Sequence, residues 1–491
     1  MVTGVNRVTA IEATLRRVCA RLEVQPDSID ARLEKAQLLA LLGRDGEAKD
    51  AFLSVLQLDP THFGALTDLG ALSLAMGYRS AALTLYRQAA ACHPQEPAGL
   101  VNLANLLLED GDLAQARQNY ETALALDPDL SDAHQGLARH WMKLGRMQAA
   151  EEHGKRGFSG HSIVTRPCRG ASDPLSVLLI VSALGGNIPT NLLLDDRIFA
   201  VSALYAEYHD PSLPLPYHDV VFNAVGDADL CEAALAEIPR ILARTKAPAI
   251  NRPEIIRVTG RSANARRLSN VDGVTAPHTV SVPRSALEAP DAITRLGQQG
   301  FDFPLLLRSP GFHTGQNFLY VAGPDQFAAA VSQLPGDRLL VIQYVDAKGQ
   351  DGLVRKYRVM IVDGLLYPLH LAISRSWKVH YFTSDMVAHP AYRREEEAFL
   401  SDMPNVLGPG IIQGLARLCD ILRLDYGGID FGLSADGKIL LFEANATMVI
   451  ALPPQEPIWD YRRKAVTQAL DAARRMLFAR AGKAQQGYSP C

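Results

Sequence analysis

Gly427-Gly428-Ile429-Asp430-Phe431-Gly432 is followed, across Ala435-Asp436-Gly437-Lys438, by Leu440-Leu441-Phe442-Glu443-Ala444-Asn445. Two apolar runs joined by Asp-Gly read as a β-hairpin. Side chains alternate faces along a strand, so Glu443 and Asn445 point the same way. If Asp430 faces them from the partner strand, three oxygen ligands converge. Such a set suits Mg²⁺, a hard cation that usually shares its shell with substrate phosphates. A buried Glu and Asn on an apolar strand are costly without partners, which argues against a purely structural role.

The rest of the chain sets the frame for this hairpin. At 491 residues it exceeds one core, and two to four domains are expected. With 48% hydrophobic and 21% charged residues it reads as globular rather than disordered. A net charge of −4 provides no global basic field for nucleic acid or anionic membrane. Cys19, Cys92, Cys168, Cys231, Cys419 and Cys491 are scattered without a CxxC pair, which suits a reducing compartment better than a disulfide or zinc framework. The N-terminus has no signal-peptide apolar region, and no apolar run reaches membrane-spanning length. The expectation is a soluble, cytoplasmic protein with no nucleic-acid or membrane partner.

Toward the N-terminus a 34-residue step governs the sequence. Pro60, Pro94 and Pro128 keep it, as do Gly43, Gly77, Gly111 and Gly145, and Ala48, Ala82, Ala116 and Ala150. So do the aromatics Phe52, Tyr86 and Tyr120 and the small residues Ala36, Gly70, Ala104 and Ala138. The pattern resembles the tetratricopeptide repeat, a helix–turn–helix of that length. Small residues let the helices approach, Gly ends the first helix, and Pro follows the second. Four units are expected over 27–162, with 1–26 as a capping helix because terminal repeats need a cover. The fourth unit has Gly154 where the aromatic belongs and lacks a closing Pro. The array reads either as a concave groove for a peptide or protein or as a packing and dimerisation module that makes a homodimer. Asn102, Asn105 and Asn119 are groove candidates or ordinary solvated positions.

Residues 163–174 read as an interdomain linker. Beyond it, Val177–Val181 and His218–Asn223 are short runs of the buried-strand type, with helical pattern following the second through Arg244. They predict an α/β layer over 175–275, with ligands at strand C-termini. Gly185-Gly186-Asn187 is a phosphate cradle or a tight turn. Asn187, Asn191 and Asn223 are substrate contacts or turn formers. Phe303-Pro304-Leu305-Leu306-Leu307-Arg308 is a strand that delivers a cation. The loop Ser309–Asn317, with Gly311, His313 and Gly315, is suited to covering a triphosphate with backbone N–H groups. Ile342-Gln343-Tyr344-Val345 ends an apolar strand, and such an end can hold a purine through its backbone.

This order of elements resembles the ATP-grasp superfamily over about residues 175–455, closest to carboxylate–amine ligases of the glutathione synthetase and D-alanine–D-alanine ligase kind. The resemblance implies a small subdomain over 276–345 and a C-terminal subdomain over 346–480. The fold class expected is therefore multidomain: an all-α tetratricopeptide solenoid, an α/β pre-ATP-grasp domain and α+β ATP-grasp subdomains. ATP and Mg²⁺ are the implied cofactors. Arg308 stands at a position usually held by a phosphate lysine, and an arginine there offers a planar fork instead of a point charge. Arg261 is nearest a second such lysine. The resemblance further implies that Gly311–Gly315 covers the phosphates, that Gln343, Tyr344 and Val345 hold adenine, and that Asp430, Glu443 and Asn445 carry Mg²⁺. Arg358 and Arg375 are implied as contacts to phosphate or acyl phosphate. His313 is a proton donor, a γ-phosphate contact or a satisfied loop histidine. The implied activity joins a carboxylate to a small-molecule or peptide amine, with peptide or protein substrate presented by the array. A phosphotransferase and a non-catalytic nucleotide sensor are the alternatives. Arg358 and Arg375 also have an alternative use, pairing with a Glu395-Glu396-Glu397 run expected on a solvated helix face.

Overall fold

The computed structural model describes residues 4–166, 168–169, 173–312, 315–379, 384–434 and 436–484. The chain divides into two compact units. Of the described residues, one unit holds those up to Leu179 and Leu194–Asp219; the other holds Ile180–Leu193 and residues 220–484.

The first unit is built from helix pairs. After α1 (Gly4–Val24) come α2 (Ile29–Leu41) and α3 (Asp45–Leu58), α4 (Phe63–Ala75) and α5 (Arg79–Cys92), α6 (Pro97–Asp110) and α7 (Leu113–Leu126), and α8 (Ser131–Lys143) and α9 (Met147–Phe158). Ser28 caps α2 through its Oγ, and Asp112 caps α7 through its carboxylate, each satisfying a first-turn N–H that has no helical partner. Gly111 ends α6 at φ 86°, a left-handed position open to glycine at little cost. Ala36, Ala48, Ala82, Ala104 and Ala116 are fully buried, so the 34-residue periodicity is the periodicity of helix contact. Tyr120 is also fully buried, and its hydroxyl donates to Asn105 Oδ1 at 2.7 Å. Asn119 donates back to Gln115 O of its own helix, at an exposed position.

The missing aromatic of the fourth repeat arrives from later in the chain. A Cβ at Gly154 would run into the Tyr208 hydroxyl, and Tyr208 stacks on Phe158 with ring centroids 5.1 Å apart. Burial raises the Tyr208 phenol to about 12. Tyr208 follows β3 (Phe199–Tyr205), which pairs antiparallel with β1 (Ile163–Thr165). The stretch expected as a linker therefore contains a strand. Beyond it, Arg169 joins Asp45 and Asp196 at 2.9 Å each. A three-residue strand is too short to show a period of two, which hid it in the sequence.

The division between units falls within β2 (Leu175–Val181). In the second unit β4 (Val220–Asn223) and β5 (Ala249–Ile250) pair in parallel. Here Asn223 donates to Asn251 O and accepts from Val225 N, so it is a scaffold residue rather than a ligand contact. A four-stranded sheet follows in the order β7 (Thr279–Pro283), β10 (Arg338–Gln343), β8 (Leu305–Arg308), β9 (Phe318–Val321). Its alternation is clear: Leu305, Leu307, Leu339 and Val341 enter one apolar core with Phe301, Phe327 and Val331. Leu306 and Ile342, which are cross-strand partners, occupy the other face.

A second sheet has the order β12 (Leu365–Ser374), β11 (Val354–Val362), β13 (Tyr426–Leu433), β14 (Ile439–Asn445), β6 (Val274–Thr275). Only β14–β6 is parallel. The Asp-Gly hairpin thus forms as β13–β14. Behind β12 lies the helix Pro390–Ser401, and it corrects the expectation for the glutamate run. Glu396 is fully buried. Its carboxylate accepts from Arg462 Nε at 2.9 Å, from Leu371 N at 3.1 Å and from the Tyr461 hydroxyl. Three consecutive helical residues point in directions about 100° apart, so one of them faces the sheet.

Candidate functional site

The antiparallel register aligns one row of side chains across the second sheet. His370 on β12 stands opposite Arg358 on β11, Arg358 opposite Asp430 on β13, and Asp430 opposite Glu443 on β14. Opposed residues project from the same face, and Lys356, two residues before Arg358, shares it. Asp430 is fully buried and receives Arg358 Nε and Nη2 at 2.6 and 2.7 Å and Lys356 Nζ at 2.7 Å. Burial pushes its carboxyl up, but Arg358 and Lys356 outweigh this and hold it well below the usual carboxylate range.

This row forms one wall of a cavity of about 530 Å³ inside the second unit. Arg261 opens the helix Arg261–Leu268 and reaches Glu443 Oε1 at 2.5 Å, while its backbone N–H donates to Asp229. Asn445 Nδ2 donates to the same Glu443 oxygen at 2.8 Å, and Asn445 Oδ1 accepts from Thr447 N and Oγ1. Burial favours the neutral Glu443 acid, yet Arg261 and then Arg308 pull it down to about 2. Arg308, at the end of β8, donates from Nη2 to Phe312 O at 2.6 Å and lies over the Phe318 ring. Its Nε is buried with no hydrogen-bond partner among the described residues. Burial first, and Arg261 second, lower the Arg308 guanidinium to about 10. Such a cation, held against another of its own sign, is suited to receive an anion.

Leu306, Ile342, Gln343, Tyr344, Val345, Phe318 and Trp377 supply an apolar and aromatic lining. The Gln343 amide is used locally, donating to Asp302 O and accepting from Asp302 N. Lys378 Nζ donates to Phe318 O at 3.3 Å, beside Gly315. Asn187 lines the cavity, but its amide bonds to both Ser182 backbone groups, which is turn chemistry.

Arg261, Arg308, Gly315, Gln343, Tyr344, Val345, Arg358, Glu443 and Asn445 therefore line one cavity, and Asp430 lies directly beneath it. Two expected residues stand apart. Arg375 is exposed, lies outside the lining and uses its backbone N–H on Asp385. Gly311 packs against Leu230 instead of lining the cavity. His313 lies outside the described residues. Lys356, His370 and Lys378 are lining residues that the sequence reading did not select. Lys356 was accessible to it, because i and i+2 on a strand share a face.

Among the described residues there is no group of three or more His, Cys, Asp and Glu able to hold a metal ion. The candidate set here is two carboxylates and an amide, and its donor type fits a hard divalent cation. A carboxylate has about four acceptor positions. Arg358 and Lys356 occupy three on Asp430, and Arg261 and Asn445 occupy two on Glu443. Acceptor capacity remains, within strongly cationic surroundings.

Comparison with known proteins identifies the first unit. Tetratricopeptide repeat models match residues 29–62, 85–118 and 107–153, so the N-terminal region is a tetratricopeptide array followed by mixed α/β sheets. The chain is similar to Protein O-mannosyl-transferase TMTC1 of Mus musculus, 30% identical over 128 residues, which is 25% of this chain and 13% of that protein. Protein O-mannosyl-transferase TMTC2 of Homo sapiens is 30% identical over 158 residues, 24% of this chain and 18% of that one. The chain thus spans less than a fifth of the curated relatives it matches. Among solved structures, MamA from Desulfovibrio magneticus RS-1 is 24% identical, covering 31% of this chain and 86% of that one at a TM-score of 0.28. YrrB, described as a tetratricopeptide protein with an unusual peptide-binding site, is 18% identical over 31% of this chain and 79% of that one, at 0.27. Among the described residues no helix is long and apolar enough to cross a membrane.

Proposed function

We propose that the second unit is an ATP-grasp-type, ATP- and Mg²⁺-dependent carboxylate–amine ligase, and that the repeat array presents a peptide or protein substrate to it. The observation that carries this reading is the row Arg358–Asp430–Glu443 meeting Arg261 and Arg308 in one cavity with an apolar, aromatic end. Cations at one end suit a triphosphate, and Leu306, Ile342 and Tyr344 suit a base at the other. Tetratricopeptide proteins commonly bind peptides or proteins, which supports the role given to the array.

The chemistry follows from charge. A carboxylate is a poor electrophile. Its oxygen attacks the γ-phosphorus of ATP, the bond to ADP breaks, and an acyl phosphate forms. A neutral amine then attacks the acyl carbon, phosphate leaves, and the amine proton passes to solvent or base. Arg308 and Arg261 neutralise charge on the phosphates, and Lys356 and Arg358 fix the position of Asp430. Glu443, Asn445 and Asp430 would hold Mg²⁺, which supplies further charge neutralisation between phosphates.

The test is ADP release by the full chain with pooled peptides and amino acids, followed by mass analysis of the product. ADP and phosphate appearing in equal amounts with a new amide support the ligase. A stable phosphorylated product would replace it with a phosphotransferase, and nucleotide binding without turnover in any pool would replace it with a sensor.

A further inference from the structure

We infer that this cavity binds its polyanion before any divalent cation, with Arg261, Lys356 and Arg358 standing in the metal's electrostatic place until phosphates draw Arg261 and Lys356 away. The inference rests on reading the cavity as a phosphate site and adds an order of binding to it. Arg261, Arg308, Lys356, Arg358 and Lys378 line the cavity, against Glu443 as its lining carboxylate. Counting the buried Asp430, together with Asp227 and Asp229 whose charges act on Arg261 and Arg308, the local excess is one positive charge. A bare divalent ion entering here meets five lining cations and finds Glu443 and Asp430 already engaged by them. A triphosphate meets the reverse situation. Arg308 has a buried Nε with no hydrogen-bond partner among the described residues, and Arg261 and Lys356 have flexible stems able to turn from carboxylate to phosphate.

Geometry assigns the two gates separately. Arg261 holds Glu443 from a helix start, outside the sheet itself. Lys356 holds one oxygen of Asp430 from within the sheet, while Arg358 grips both. Moving Lys356 opens an acceptor position without unfastening Asp430 from Arg358. Arg261 and Lys356 are thus positioning residues that set when the carboxylates become available, beyond any contact they make to phosphate.

The probes are inorganic tripolyphosphate in EDTA, by calorimetry, and Mn²⁺ alone, by loss of its free electron-spin signal, on the full chain. The expected results are saturable tripolyphosphate binding without metal, and no Mn²⁺ uptake by the parent at millimolar concentrations. Arg261→Gln and Lys356→Met are each expected to raise affinity for Mn²⁺ alone at least tenfold, with thermal melts confirming the fold. If one variant does not fold, the other and the parent comparison still decide. Mn²⁺ binding to the parent at micromolar concentrations overturns the inference, as does tripolyphosphate binding that requires metal. ATP turnover alongside metal-dependent tripolyphosphate binding sinks the order while leaving the ligase standing. Metal-free tripolyphosphate binding with no ATP binding does the opposite.

Discussion

Replacing Glu396 with Ala tests whether the buried pair behind β12 holds the scaffold of the site. Glu396 is fully buried, Arg462 is 3% exposed, and the carboxylate serves Arg462, the Tyr461 hydroxyl and the Leu371 N–H together. Removing one partner of a buried pair costs about 3–5 kcal/mol, because the other charge remains in place. The orphaned Leu371 N–H adds to this, though not additively. For a domain of this size, taking a urea dependence of about 3 kcal/mol per molar, the midpoint falls by roughly 1–2 M. Trp459 reports locally, since Arg462 lies 4.0 Å from its ring centroid. With Trp141 and Trp377 changed to Phe, Trp459 is the remaining tryptophan, and its fluorescence follows the second unit. The loss matters for the site because β12 pairs with β11, which carries Lys356 and Arg358. A midpoint shift below about 0.3 M refutes the reasoning. Glu396→Leu with Arg462→Met, which removes both charges, is expected to recover most of the loss.

Other consequences are equally direct. Arg308→Met removes a charge-assisted contact of about 1.5–3 kcal/mol, so tripolyphosphate affinity is expected to fall 10- to 150-fold by calorimetry. Arg375→Ala, in contrast, is expected to leave that affinity unchanged, because Arg375 is exposed and lies outside the cavity lining. Burial lowers the pKa of His134, His140 and His153 in the fourth repeat. The unfolded chain takes up their protons near pH 6.5 while the folded chain does not, so stability is present above that pH and is lost as pH falls through the lowered values. The slope reaches up to about 1.4 kcal/mol per histidine per pH unit, measurable by urea titration across pH 7.5 to 5. Tyr208→Ala is expected to raise hydrogen exchange in α9 roughly tenfold or more, through loss of its packing on Phe158.

The repeat array was legible because its signal is a period: each Gly recurs at the turn inside a helix pair, each Ala at a helix contact, and each Pro between pairs. The β13–β14 hairpin was legible because Asp-Gly chemistry and alternation mark its turn and its two strands. Alternation puts Glu443 and Asn445 on one face, but Asp430 stands opposite Glu443 only because a bulge between Asp430 and Phe431 shifts the register. What escaped were contacts made across long separations. Tyr208 replaces the aromatic missing at position 154, and nothing in the 34-residue period announces a ring arriving after β3. Glu396 looked like one of three solvated acids, since only the sheet behind it shows which of them turns inward. Arg375 follows the end of β12 at Ser374, and one position past a strand end its direction no longer follows the pleat. Lys356 was passed over in favour of Arg358, although both share a face. That Arg358 would be buried against Asp430 depends on the pairing of β11 with β13, which separate segments of sequence do not declare.

The central claim is tested most directly by calorimetric titration of the full chain with ATP in the presence of Mg²⁺, for the parent and for Glu443→Gln. The account predicts saturable one-site binding in the parent, weakened at least tenfold in the variant, a difference of about 1.4 kcal/mol. No binding by the parent, or equal binding by both, would contradict it.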